Sequence, residues 1–137
     1  MSIIPINRVE HVDKGWIPPK NLAFAKSISM VPVGVPEFSR LAMGVPILLV
    51  KVKEEFYFVA VMGLETNKNL LVTHDGSWLG NYIPAVFRSS PFSLMLDEEG
   101  NSVLCLDDSL TKIVANEDGE RFFDDNGQLS KKLAETM

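Results

Sequence analysis

The sequence predicts an α+β fold: a single domain with a mostly antiparallel, twisted β-sheet and short helices packed on it. Three observations lead there. Two runs rich in β-branched and aromatic residues, Ile47–Val52 and residues 56–62, are separated only by Lys53-Glu54-Glu55, a connection short enough for an antiparallel hairpin. A second pair of apolar runs, Phe92–Leu96 and residues 103–106, flanks the acidic, glycine-containing loop 97–101. Helical spacing, by contrast, is confined to short stretches broken by Pro and Gly.

Length and composition narrow the function classes. A chain of 137 residues fits one domain with one hydrophobic core. With 46% hydrophobic and 23% charged residues it is ordinary globular material, not a disordered segment. The net charge is -5, and the thirteen Lys and Arg are scattered, so nothing is arranged to neutralise phosphates or an anionic membrane surface. Nucleic acid is therefore not an expected partner. No apolar run is long enough for a membrane span, so membrane insertion is not expected either. Cys105, the only cysteine, sits in Val103-Leu104-Cys105-Leu106 and reads as a buried structural thiol. The N-terminus lacks a basic region followed by an apolar one, which makes the cytoplasm the expected compartment. Export by a signal placed elsewhere stays open.

In chain order, residues 1–19 read as an N-terminal arm, with Pro5, Gly15 and Pro18-Pro19 interrupting its apolar residues. His11 reads as a surface histidine near Glu10. Residues 22–33 read as extended, closed by Pro32 and Pro36. Pro36-Glu37 open a helix with Phe38, Leu41 and Ala42 on one face, and Gly44 stops it. The two strong strands that follow are nearly continuously apolar, which predicts central strands covered on both faces. Residues 69–74 read as a third strand, ending in Asp75-Gly76, a type I′ hairpin signal. Asn81 is the expected N-cap of a helix through Arg88, with Pro84 in its first turn and Ile83, Val86 and Phe87 inward. Leu110, Ile113 and Val114 have helical spacing. Residues 116–127 are turn-rich, and 128–137 form a polar tail or a short helix.

The search for chemistry yields little. There is no phosphate-binding Gly loop, no CxxC pair, no GxSxG and no HExxH. His74, Asp75 and Ser77 are too close in sequence to chain as base, orienter and nucleophile, because neighbouring strand residues point to opposite faces. The acidic turns around Gly119 and Gly127 place Val114 and Phe122 at the first position of an EF-hand register, so neither reads as a calcium loop. No cofactor and no metal are expected. Glu37 reads as a first-turn carboxylate complementing the helix dipole. The candidate ligand-binding residues are Trp78, Tyr82 and Arg88, two rings and a guanidinium that could frame a glycan or peptide groove. Against that stands a core-capping role for both rings.

The residues now in view resemble the SapC family of bacterial proteins, some of which are associated with a surface layer. The resemblance rests on Pro32, Glu37-Phe38, Val45-Pro46-Ile47 and Met62-Gly63-Leu64 followed by Asn69-Leu70. It runs on through Asp75-Gly76-Ser77-Trp78, Tyr82-Ile83-Pro84-Ala85, Arg88 and Pro91-Phe92 to Leu104-Cys105-Leu106-Asp107, Phe123-Asp124 and Gly127. It implies that this chain matches the N-terminal part of a longer family pattern, as a short member or a piece. Ser89-Ser90 depart from the basic or aromatic pair that family members often carry there. The resemblance brings no catalytic residues with it. The expected function is that of a non-enzymatic structural or interaction protein, with protein partners or self-association. The alternative is a small-ligand or glycan-binding accessory module.

Overall fold

A computed structural model describes residues 2–137. Among them nine strands alternate with short helices: β1 (Ile3–Pro5), α1 (Arg8–His11), β2 (Lys14–Trp16), β3 (Met30–Pro32), α2 (Phe38–Leu41), β4 (Ile47–Val52), β5 (Glu55–Val61), α3 (Ala85–Arg88), β6 (Phe92–Leu96), β7 (Ser102–Asp107), β8 (Ile113–Ala115), β9 (Glu120–Arg121) and α4 (Lys131–Thr136). The class is α+β and every strand pairing is antiparallel, as expected. The strands form three three-stranded sheets, β1-β7-β6, β8-β2-β9 and β3-β5-β4, in place of one continuous sheet. The chain folds into two compact units. One joins the residues up to Lys20 with Ser89–Met137; the other is Asn21–Arg88.

In the first unit the β6–β7 hairpin forms because Asp97 accepts the N–H groups of Glu99 (3.0 Å) and Asn101 (2.8 Å), while Gly100 takes the positive φ (83°) that the turn needs. The stretch read as an N-terminal arm is integral to this unit, which corrects that expectation. β1 pairs with β7, and β2 is the central strand between β8 and β9. The close approach of β2 to β9 requires Gly15, since a Cβ there would lie 2.5 Å from the Glu120 carbonyl oxygen. Trp16 then sinks to 1% exposure, edge-on to Phe92 with ring centroids 4.7 Å apart. Ile6, Leu104, Leu106, Phe122, Phe123 and Leu133 complete this core.

Two further expectations change here, and a third is decided between its two alternatives. His11 is buried, not superficial; its ring stands edge-on to Phe122 and its Nδ1 lies 3.1 Å from the Asn7 carbonyl oxygen. Residues 113–115 form β8, because pairing with β2 outweighs a weak helical pattern. The C-terminal segment is a helix, α4, capped by Ser130, whose hydroxyl accepts the Leu133 N–H. Cys105 is buried as expected.

In the second unit β5 is central and β4 is an edge strand. Cross-strand partners share a face, so Val31, Ala60 and Ile47 line one face, the core side. They pack there with Leu41, Val45, Met62 and Phe87. The opposite face carries Met30, Leu48, Tyr57 and Val52, all exposed. Coverage on both faces, expected from the continuous apolar runs, is therefore not what the unit provides.

Residues 22–33 hold a 3-10 turn (Ala23–Ala25) before β3 and are not extended throughout. Residues 69–74 form no strand. Buried Asn69 ties the segment down instead, donating to the Ala25 carbonyl (3.2 Å) and accepting the Leu71 N–H (2.9 Å). The turn after Thr73 is a three-residue loop closed by Thr73 and Ser77, with only Gly76 at positive φ (87°), rather than a type I′ turn. α3 is one turn long. Pro84, not Asn81, starts it, its carbonyl accepting the N–H groups of Phe87 and Arg88.

Trp16→Ala is expected to cost the first unit about 3–5 kcal/mol, the usual loss for a large buried aromatic. Urea unfolding followed by far-UV circular dichroism measures it. Trp16→Phe keeps a ring on Phe92 and should retain most of the stability.

Candidate functional site

The second unit brings Trp78, Tyr82 and Arg88 together. The chain bends at Gly80, where a Cβ would lie 2.7 Å from the indole nitrogen of Trp78. The bend lets the Trp78 indole N–H donate to the Tyr82 carbonyl (3.1 Å) while its ring leans edge-on against Phe87. One turn of α3 then returns Arg88 to Tyr82. Its guanidinium stands 5.2 Å from the ring centroid, donates to the Tyr82 hydroxyl (2.7 Å) and, through Nε, to the Ile83 carbonyl (3.1 Å). Arg40, in α2, lies 5.6 Å from the same ring.

Glu37 completes the cluster. Its Oε2 accepts the Gly34 N–H (3.1 Å), which is half a capping box, since Gly34 has no side chain to reciprocate. Its Oε1 accepts the Ala85 N–H at the start of α3 (2.7 Å) and the Tyr82 hydroxyl (3.3 Å). One carboxylate thus holds the first turns of two helices. The place of Glu37 at a helix start was visible in the sequence. The bond to Ala85 was not, because nothing local announces a partner 48 residues away.

This arrangement is suited to holding structure. The indole N–H and the phenol hydroxyl are already bonded, and the cavity beside Tyr82, bordered by Arg40, Leu41 and Val45, is ≈ 10 Å³. That is about one water, against the several hundred Å³ of a small-molecule site. Elsewhere, a ≈ 430 Å³ hollow in the first unit runs along Asp13, Lys14 and β8, and brings together no nucleophile with a base. At the 73–77 turn, the Ser77 hydroxyl donates directly to Asp75 (3.1 Å) and His74 stands outside that bond. Among the described residues no group of three His, Cys, Asp or Glu could hold a metal, and no helix is long and apolar enough to cross a membrane.

Asp75 also accepts from the Thr73 hydroxyl. That bond, followed by those from the Ser77 N–H and hydroxyl, holds its carboxyl below the ordinary value of 3.8. The Asn101 N–H and side-chain amide do the same for Asp97.

Fold and cluster together define a small α+β protein of three antiparallel sheets whose most connected polar residues brace one helix start against another. A protein-family model described as SapC matches residues 6–137, and the chain belongs to the SapC family. No curated protein and no solved structure matches it.

Two outcomes test the cluster. Glu37→Ala should lower the unfolding free energy by about 2–3 kcal/mol, since hydrogen bonds to a charged partner count about 1.5–3 kcal/mol; Glu37→Gln should cost less, both read from urea midpoints. Asp75, titrated by NMR, should show a midpoint below 3.8, and Thr73→Val should raise it. Its folded value is the lower one, so its contribution to stability is present above the unfolded pKa and is lost as pH falls through the folded pKa.

Proposed function

We propose that this SapC-family chain works by binding protein rather than by catalysis, and that the β4–β5 hairpin is its contact surface. The observation that carries this reading is the exposed apolar cover of that hairpin. Leu48 (50%), Leu49 (57%), Val52 (54%), Phe56 (64%), Tyr57 (41%) and Phe58 (40%) are open, with Met30 (52%) beside them on β3. They lie on two faces, Met30, Leu48, Val52 and Tyr57 on one and Leu49, Phe56 and Phe58 on the other, and each face presents roughly 250 Å², taking about 200 Å² for a buried aromatic side chain and about 100 Å² for an aliphatic one. An apolar patch of a few hundred Å² is near the largest that a soluble monomer exposes, and such patches are often functional.

The setting we propose is the bacterial surface layer or cell envelope, with the cytoplasm as the alternative. The glycan-binding alternative draws support from the Tyr82 ring between Arg40 and Arg88. It has less behind it, because the polar atoms a sugar would need are engaged internally and the neighbouring cavity is small.

Co-sedimentation of the purified chain with washed envelope fragments is the test. Wild-type protein should pellet in a saturable manner, and Leu48→Lys/Tyr57→Lys should reduce the bound fraction at least five-fold with an unchanged circular dichroism spectrum. Protein that stays in the supernatant at every envelope dose would sink the envelope setting. Equal binding by the double variant would sink the choice of surface.

A further inference from the structure

We infer that the open edge of β4 pairs with β4 of a second copy of this chain, joining two β3-β5-β4 sheets into one six-stranded sheet. The inference rests on the reading of the β4–β5 hairpin as a contact surface and says what pairs with its open edge.

The backbone of β4 sets the geometry. The Pro46 carbonyl accepts the Val61 N–H at 2.9 Å, so Pro46 faces β5. Backbone groups alternate along a strand, so Leu48, Val50 and Val52 also turn their polar atoms to β5. Ile47, Leu49 and Lys51 turn theirs outward, to the side where β4 has no neighbouring strand. Such a row of free N–H and C=O groups is a template for another strand.

The row is self-complementary. An isologous contact relates equal surfaces by a two-fold axis. With that axis through Leu49, outward residues meet outward residues: Leu49 faces its copy, and Ile47 faces Lys51 of the other chain. Each of these narrow pairs exchanges two N–H···O bonds. Side chains then continue in rows across the seam, Phe58–Leu49 meeting Leu49–Phe58 on one face and Tyr57–Val50 meeting Leu48–Val59 on the other.

Charge agrees with this pairing. The only charge on β4 is Lys51. In this register the two Lys51 residues stand four residues apart along the seam, about 14 Å at 3.4 Å per residue. That exceeds the screening length of about 8 Å at physiological salt, so their repulsion is small. The exposed apolar side chains on β4 itself, Leu48, Leu49 and Val52, present roughly 160 Å² at about 100 Å² for an aliphatic side chain, a small share of what one partner contributes to a standard interface, about 800 Å². The backbone ladder therefore carries most of the contact, and micromolar rather than nanomolar association is expected. The other exposed apolar edge, β6, offers a shorter row, because the Phe92 N–H is already bonded to the Ser89 carbonyl at 2.8 Å.

Sedimentation velocity from about 1 µM to about 300 µM reads the association directly. Wild-type protein should pass from monomer to dimer across that range. Leu49→Lys and Leu49→Glu each place like charges opposite one another at the axis and should weaken the dimer at least ten-fold. Mixing the two variants should restore it. As a second measurement, Leu49→Cys should form a disulfide-linked dimer on mild oxidation, while Glu54→Cys at the hairpin tip should not; Cys105 is buried and does not interfere. A wild-type monomer at every concentration, a dimer indifferent to Leu49→Lys, or equal cross-linking from both cysteine positions overturns the pairing. Envelope binding that persists in a monomeric protein would leave the proposed contact surface standing while removing this occupant.

Discussion

A β-sheet has two faces, and Asn21–Arg88 has helix enough for one. α2 and α3 are single turns, and with the 3-10 turn at Ala23–Ala25 they supply the apolar atoms that meet Val31, Ala60 and Ile47. Nothing comparable lies over Met30, Leu48, Tyr57 and Val52. Removing apolar surface from water is the main favourable term in folding, so leaving such residues open forgoes stability that covering them would add. The same shortage makes the hairpin a surface on which another chain can gain.

The polar cluster at Glu37 answers a different need of short helices. A one-turn helix satisfies almost none of its own end groups, and its N–H donors must find partners elsewhere. Glu37 supplies them to Gly34 and Ala85 at once, while Arg88 and Tyr82 close the far side through the phenol hydroxyl. Rings and charges that resemble a binding groove when read in order along the chain therefore spend their hydrogen-bonding capacity on each other.

The legible parts of the fold are those with local causes. The β4–β5 and β6–β7 hairpins, the Pro36-Glu37 helix start and the burial of Cys105 all follow from residue type, spacing and turn chemistry within a few positions. The misread parts depend on distant partners. Residues 3–16 look like an arm until β7, β8 and β9, about 100 residues later, pair with them. Residues 69–74 look like a strand until Asn69 is anchored by the Ala25 carbonyl. Of the candidate site, Trp78, Tyr82 and Arg88 were legible as neighbours, whereas Glu37 and Arg40 join them only through the packing of α2 beside α3.

By itself the sequence determined the class, α+β with antiparallel hairpins, and the family to which its motifs are similar, because turn residues and apolar periodicity act over short range. Tertiary structure alone decided which strand is central, which edge stays open and whether a polar residue is engaged or free. Those outcomes depend on how many groups from far along the chain arrive to cover a given face, and local sequence carries no record of that count.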